Sequence, residues 1–259
     1  MMKSWISVFS ALCAFGSTIV FAADDAPLVA AASNLQFAMP AIVKAYETET
    51  GKTVKVTFGS SGQFATQIAN GAPFDVFLSA DEAMVHGLVA QGLTVDDGRL
   101  YALGLLAFYV PLSSTIKVDA HLEGLKEALR AGNVSKFAIA SPQHAPYGRA
   151  AREALQSAGL WAEIEPNLVI GENVSQALQF VTEGGASAGL VPLSLLVAPA
   201  MTAKGQHVIV SDALVKPLPQ SMVVLKRAGP AANAFASFIT SQKGQAILAK
   251  FGFSSPAGT

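Results

Sequence analysis

The chain has 259 residues, of which 51% are hydrophobic and 14% charged, with a formal net charge of −1. It is too apolar to stay disordered and too weakly charged to bind nucleic acid through a basic face. Its length suffices for one large domain or two small ones, and a mean hydropathy of +0.43 raises the question of where the apolar residues sit.

Some of them open the chain. Met1-Met2-Lys3 supplies a short positive start, Trp5 to Phe21 carries no charge, and Val20-Phe21-Ala22 has the small-residue spacing at which signal peptidase cuts. Residues 1–22 are therefore expected to be a cleaved secretory signal. Asp24 and Asp25 directly after it suit a mature N-terminus better than the flank of a retained anchor. Cys13, the sole cysteine, would leave with the signal. Leu12 precedes it where a lipoprotein signal carries a small residue, so no lipid anchor is expected. The mature chain would fold in an oxidising compartment with neither disulfides nor thiol chemistry.

Beyond the signal, no apolar run reaches the ~18 residues of a membrane span. Short apolar runs alternate instead with helical patterns, as strands of a sheet covered on both faces do. Leu28 to Ala32 predicts a first buried strand, Val54, Val56 and Phe58 a second, and Phe74 to Leu78 a third. Leu35, Met39, Ile42 and Tyr46 recur at helical spacing before Gly51, with Pro40 either opening that helix or kinking it. Phe64 and Ile68 begin a helix ended by Asn70-Gly71, and Asp81 is placed to cap the helix carrying Val85 and Leu88. Tyr101 to Val110 is a long apolar strand. The alternation then restarts: helix 122–130, strand 137–140, helix 148–158, strand 168–170, helix 174–181 and strand 188–191. Met222 to Leu225 is an isolated strand, followed by a helical stretch over 231–251.

This pattern predicts an α/β chain of two lobes, each a mostly parallel sheet flanked by helices. Residues 23–104 plus 222–259 would form the first lobe and 105–221 the second, inserted between two crossing strands. A single doubly wound domain is the alternative. Asn34-Leu35-Gln36 and Asn173-Val174-Ser175-Gln176, each opening a helix, hint at related architecture in the two lobes.

Four strand-to-helix junctions are rich in polar residues: Ser33-Asn34, Gly59-Ser60-Ser61-Gly62-Gln63, Ser141 to Gly148, and Gly171-Glu172-Asn173-Val174-Ser175. In open sheets, ligands bind beyond the carboxyl ends of strands, where helix N-termini present free N–H groups. Hydroxyls, amides and bare N–H groups are donors suited to an oxyanion, and none of the four carries Lys or Arg before Arg149. Taken singly, each junction also fits an ordinary cap or turn. Catalytic and metal chemistry finds little support. Gly59-Ser60-Ser61-Gly62 lacks the spacing of a nucleophile elbow, although an exported serine hydrolase using Ser61 stays open. His86, His121, His144 and His207 show no metal-ligand spacing, and no phosphate loop or dinucleotide fingerprint implies a cofactor.

In combination these strings resemble a known family. Ala30-Ala31-Ala32-Ser33-Asn34, Phe58-Gly59-Ser60-Ser61-Gly62 and Asn70-Gly71-Ala72-Pro73-Phe74-Asp75-Val76-Phe77-Leu78-Ser79-Ala80-Asp81 are similar to the periplasmic molybdate-binding proteins of ABC importers. So are Pro142 to Gly148, Glu172-Asn173-Val174 and the closing Phe251-Gly252-Phe253, in the family's order over almost the whole mature chain. The resemblance implies a two-lobed, type II-like periplasmic solute-binding fold. It implies a non-enzymatic monomer that closes on molybdate or tungstate, takes molybdenum only as the oxyanion, and hands it to a membrane permease and its ATPase. Carried over by position, Ser33, Asn34 and Ser61 would bind from the first lobe, with Tyr147 and the Val174 N–H from the second. Where some members place a Tyr after the last second-lobe strand, this chain has Pro192, so Tyr147 or Ser194 would supply the missing bond. Sulfate or another tetrahedral oxyanion is the alternative ligand, since it too is fully deprotonated.

Overall fold

The structure is a computed structural model that describes residues 26–256. The expected signal, with Cys13, lies outside the described residues. In chain order, β1 (Leu28–Ala32) leads through a 3-10 turn (Ser33–Leu35) into α1 (Ala38–Thr50), β2 (Lys55–Gly59), α2 (Ser61–Ala69), β3 (Val76–Leu78), α3 (Glu82–Ala90) and β4 (Arg99–Gly104). Next come β5 (Leu106–Pro111), α4 (Glu123–Arg130), β6 (Phe137–Ala140), α5 (Pro146–Ser157), α6 (Trp161–Ile164), β7 (Leu168–Gly171), α7 (Val174–Thr182), β8 (Ala188–Pro192), α8 (Leu193–Leu196), α9 (Pro199–Thr202) and β9 (Gly205–Ile209). The chain closes with β10 (Leu218–Val224), α10 (Pro230–Thr240) and α11 (Gln242–Lys250).

Two five-stranded sheets result, ordered β2-β1-β3-β10-β4 and β7-β6-β8-β5-β9. In each, a strand is flanked by two parallel neighbours, and the next two pairings are antiparallel. The sheets are therefore mixed, where sequence predicted mostly parallel ones. The departure comes from the strand that each sheet receives across the lobe boundary, β10 in the first and β5 in the second, which runs against its hosts.

The apolar stretch Tyr101 to Val110 divides at Leu105, so that one half lies in each sheet. Gly104 sits at that division because a Cβ there would lie 2.0 Å from Tyr147 Oη and 2.1 Å from Gln220 Nε2. The return strand β10 begins at Leu218, so residues 218–221, which fall in the second lobe on sequence, pair with β4 in the first sheet. A register shift between Gln220 and Ser221 bends β10 as it enters.

Both faces of the first sheet are covered, which explains the unbroken apolar run of β1. On one face, Leu35, Ile42 and Tyr46 pack with Phe235 and Ile239; on the other, Phe64 and Ile68 pack with Val85 and Leu88. Phe108, Phe137 and Leu155 belong to the second lobe's core. Each such side chain contributes about 1.5–3 kcal/mol through burial. Pro40 sits in the first turn of α1, where no intrahelical N–H bond is lost. The stretch over 231–251 breaks at Ser241, whose hydroxyl donates to Phe238 O at 2.6 Å and accepts from Gly244 N at 3.2 Å, ending one helix and capping the next. Among the described residues, no helix is long and apolar enough to cross a membrane.

Candidate functional site

The four polar junctions follow β1, β2, β6 and β7, at the carboxyl ends of parallel strands in opposite lobes. The structure brings them together around one cavity, whose walls include Ser33, Asn34, Ser61, Tyr147 and Val174. Its volume is about 10 Å³, close to what one water molecule needs. Little free space remains where the junctions of the two lobes meet. None of the lining residues is charged.

Four of the five sequence-predicted residues, Asn34 being the exception, offer a donor. Ser33 and Asn34 lie in the 3-10 turn after β1, 4% and 1% exposed. No hydrogen bond among the described residues engages the Ser33 hydroxyl. Ser61 is the first residue of α2, and its Oγ accepts from Ala80 N at 3.0 Å, leaving its own proton to donate. Val174 opens α7. The Asn173 side chain caps the next two amides, those of Ser175 and Gln176 at 3.0 and 3.2 Å, and leaves the Val174 N–H for another acceptor. Tyr147 follows Pro146 at the start of α5, so its backbone N–H also lacks an intrahelical partner. Its phenol accepts from Gln220 Nε2 at 3.0 Å, and burial pushes its pKa well up despite hydrogen bonds to Gln220 and Asn34 that lower it. The phenol therefore stays neutral and keeps its proton.

Gln220 is the residue that sequence reasoning missed. It is fully buried in β10, where Oε1 accepts from Asn34 Nδ2 at 3.0 Å and lies 2.9 Å from the Tyr101 hydroxyl. Tyr101, its own pKa raised by burial and then by Tyr147, also reaches Ser79 O at 3.1 Å. The signal available was a lone amide in the apolar string Leu218 to Val224.

A ring of contacts across the cleft surrounds the cavity. Ser60 Oγ donates to His144 O at 2.6 Å, and Gly62 N to the same oxygen at 2.9 Å, an approach that a Cβ at Gly62 would obstruct. Gln63 Nε2 donates to Glu172 at 2.8 Å, Ser175 Oγ to Gln36 Oε1 at 2.5 Å, and Arg149 pairs with Asp81, which also caps α3 through Met84 N. The Ser194 hydroxyl donates to Asn34 O at 2.8 Å and so gives the cavity nothing, contrary to one of the two expectations for Pro192. A hydrolytic site does not assemble. His144 Nδ1 stands 3.1 Å from Ser60, not Ser61, and the Ser60 hydroxyl is spent on a carbonyl. Among the described residues no cluster of His, Cys, Asp and Glu is placed to hold a metal ion.

Residues 27–254 match the family model described as bacterial extracellular solute-binding protein. The chain is 35% identical to the molybdate-binding protein ModA of Rhodobacter capsulatus, over 90% of this chain and 89% of that one. It is 29% identical to that of Escherichia coli K12, over 98% and 99%. Among solved structures, the periplasmic molybdate-binding protein of Azotobacter vinelandii superposes with a TM-score of 0.82 at 28% identity, covering 89% of this chain and 99% of that one.

Proposed function

This chain belongs to the molybdate-binding proteins among the bacterial extracellular solute-binding proteins, and from that membership we propose how its own residues hold the ion. The protein is the molybdate-binding component of an ABC transporter and not an enzyme. In our reading the hydroxyls of Ser33 and Ser61, the side chain of Asn34, Tyr147 and the Val174 N–H surround molybdate, or tungstate, in the interlobe cavity.

The observation that carries this reading is a small interlobe cavity lined by no charged side chain, at which Ser33, Asn34, Ser61, Tyr147 and Val174 meet. A desolvated dianion is stable there because each oxygen receives charge-assisted bonds from oriented dipoles, reinforced by the N-termini of α2, α5 and α7. Hydrogen phosphate brings an O–H that needs an acceptor, and leaving it unpaired costs about 1–3 kcal/mol. Sulfate is rejected by size alone, since it is as fully deprotonated as molybdate.

We extend the proposal to the rest of the cycle. The chain works outside the cytoplasmic membrane, in the periplasm, after loss of residues 1–22. It binds as a monomer, closes by bending at the two crossings near Leu105 and Leu218, and is docked by a permease driven by its ATPase. Calorimetric titration of the chain without residues 1–22 tests the ligand. Tight binding of molybdate and tungstate with weak sulfate and no phosphate is expected; tight sulfate binding without molybdate overturns the assignment.

A further inference from the structure

One buried oxygen at the cavity wall is out of place. Asn34 Oδ1 has no hydrogen-bond partner, and Asn34 lines the same space as the Ser33 and Ser61 hydroxyls. An acceptor there repels an oxyanion and leaves a desolvated lone pair unmatched. The partner of the same amide is also poorly served. Gln220 Oε1 and Ser79 O both face the single proton of the Tyr101 hydroxyl, so when Ser79 O takes it, Gln220 Oε1 and Tyr101 Oη lie 2.9 Å apart with no proton between them. Both faults disappear if the two amides turn over together, because amide oxygen and nitrogen occupy equivalent places and only their partners distinguish them.

We propose that Gln220 is a specificity-determining residue that orients Asn34: in the loaded protein its Nε2 donates to Asn34 Oδ1, and Asn34 Nδ2 is thereby turned to donate to the anion. The contacts of Gln220 with Asn34, Tyr101 and Tyr147 survive the exchange. Gln220 Nε2 uses one hydrogen on Asn34 Oδ1, across the 3.0 Å separation, and the other on Tyr101 Oη at 2.9 Å. Tyr101 then gives its proton to Ser79 O without competition, and the Tyr147 hydroxyl gives its own to Gln220 Oε1 at 3.0 Å. The Gln220 amide and the Tyr101 hydroxyl are then fully matched, and the Asn34 amide hydrogens take the place of the orphan oxygen.

The network also joins closure to selectivity. Tyr147 comes from the second lobe, whereas Gln220, Asn34 and Tyr101 belong to the first, so its hydroxyl reaches Gln220 when the lobes are shut. By giving its proton to the Gln220 oxygen, Tyr147 fixes which end of that amide faces Asn34. The wall then no longer offers the Asn34 amide oxygen to the O–H of hydrogen phosphate, and the wiring adds to the selection against protonated anions.

This inference rests on the oxyanion assignment above, and its test separates the two. In a neutron structure of the molybdate-loaded protein, the Asn34 Nδ2 deuterons are expected to point at the anion and those of Gln220 Nε2 at Asn34 Oδ1. Deuterons of Asn34 lying on Gln220 Oε1 in the loaded state overturn the proposal while leaving molybdate binding intact. In solution, Gln220→Met keeps the volume of the side chain and removes both of its polar functions. Molybdate affinity is expected to fall about tenfold or more, and the preference for molybdate over phosphate to fall with it. An unchanged preference in a variant that still melts cooperatively overturns the role assigned to Gln220. Failure of the wild-type protein to bind any oxyanion overturns the functional assignment itself.

Discussion

Ser33 and Ser61 look alike in sequence, and the structure gives them different second duties. The Ser33 hydroxyl serves no other group, whereas Ser61 Oγ accepts the Ala80 N–H. Ser33→Ala is therefore expected to weaken molybdate binding by about 1.5–3 kcal/mol, the worth of a hydrogen bond to a charged group, with an unchanged ligand-free melting temperature. Ser61→Ala should lose similar affinity and also lower that temperature by a few degrees, because it strands a buried N–H. Calorimetry paired with thermal melts checks both; a loss of stability in Ser33→Ala without loss of affinity makes that residue a cap. Gly104→Ala drives a methyl group into Tyr147 and Gln220, so it is expected to cost affinity without touching the anion, again by titration. The candidate donors could be singled out because they lie in strand-to-helix junctions, Ser33 and Asn34 in the same one. Gln220 and Gly104 were not, because what defines them is a neighbour far away along the chain, 186 residues in the case of Gln220 and Asn34.

Among the elements, those with a buried face or a local cap could be read from sequence. The run Leu28 to Ala32 became β1, and Asp81 caps α3 as its position suggested. Edges and breaks were harder. Gly205 to Ile209 forms an edge strand whose residues alternate only weakly, and the stop at Ser241 depends on one hydroxyl. The start of α4 shows how much a single side chain can do. Leu122 holds the formal cap position in a left-handed conformation at φ 63°, and Asp119 supplies the acceptor, taking N–H bonds from His121, Glu123 and Gly124. Burial alone raises the Asp119 pKa, but those three bonds outweigh it and hold the carboxyl below its ordinary value. Since the folded pKa lies below the unfolded one, the carboxylate stabilises fully above the ordinary Asp range, and that gain disappears as pH falls through the lowered value. Asp119→Ala is expected to cost about 1 kcal/mol at neutral pH and to match the parent in strong acid, as melting curves across pH would show.

At the scale of the whole molecule, the polar ring around the cavity is accompanied by apolar contact between the lobes, with Ala32, Ala80 and Phe37 of the first packed into the core of the second. Among the described residues, Arg149 and Asp81 form the one Arg or Lys ion pair in that ring that joins opposite lobes. Both are partly open to solvent, so the pair is worth about 1 kcal/mol or less. Arg149→Gln is expected to speed molybdate release several-fold in stopped-flow measurements while leaving the cap of α3 in place. The difference from the parent should shrink as salt is added. The two-lobe division was visible in the repeated strand and helix pattern. Its closed form was not, since contacts such as Ser60 with His144 require knowing which loops face each other.

The interleaved strand order carries a consequence for how the molecule is made. In the first sheet β10 lies between β3 and β4, so those two strands have no direct pairing until the last part of the chain arrives. The second sheet is assembled entirely from residues 106–209 and waits for nothing. A chain emerging N-terminus first would begin one lobe, finish the other, and only then return to complete the first. Late, long-range pairing of that kind is slow, and it leaves the half of the site holding Ser33, Asn34 and Ser61 as the last part to acquire its final shape.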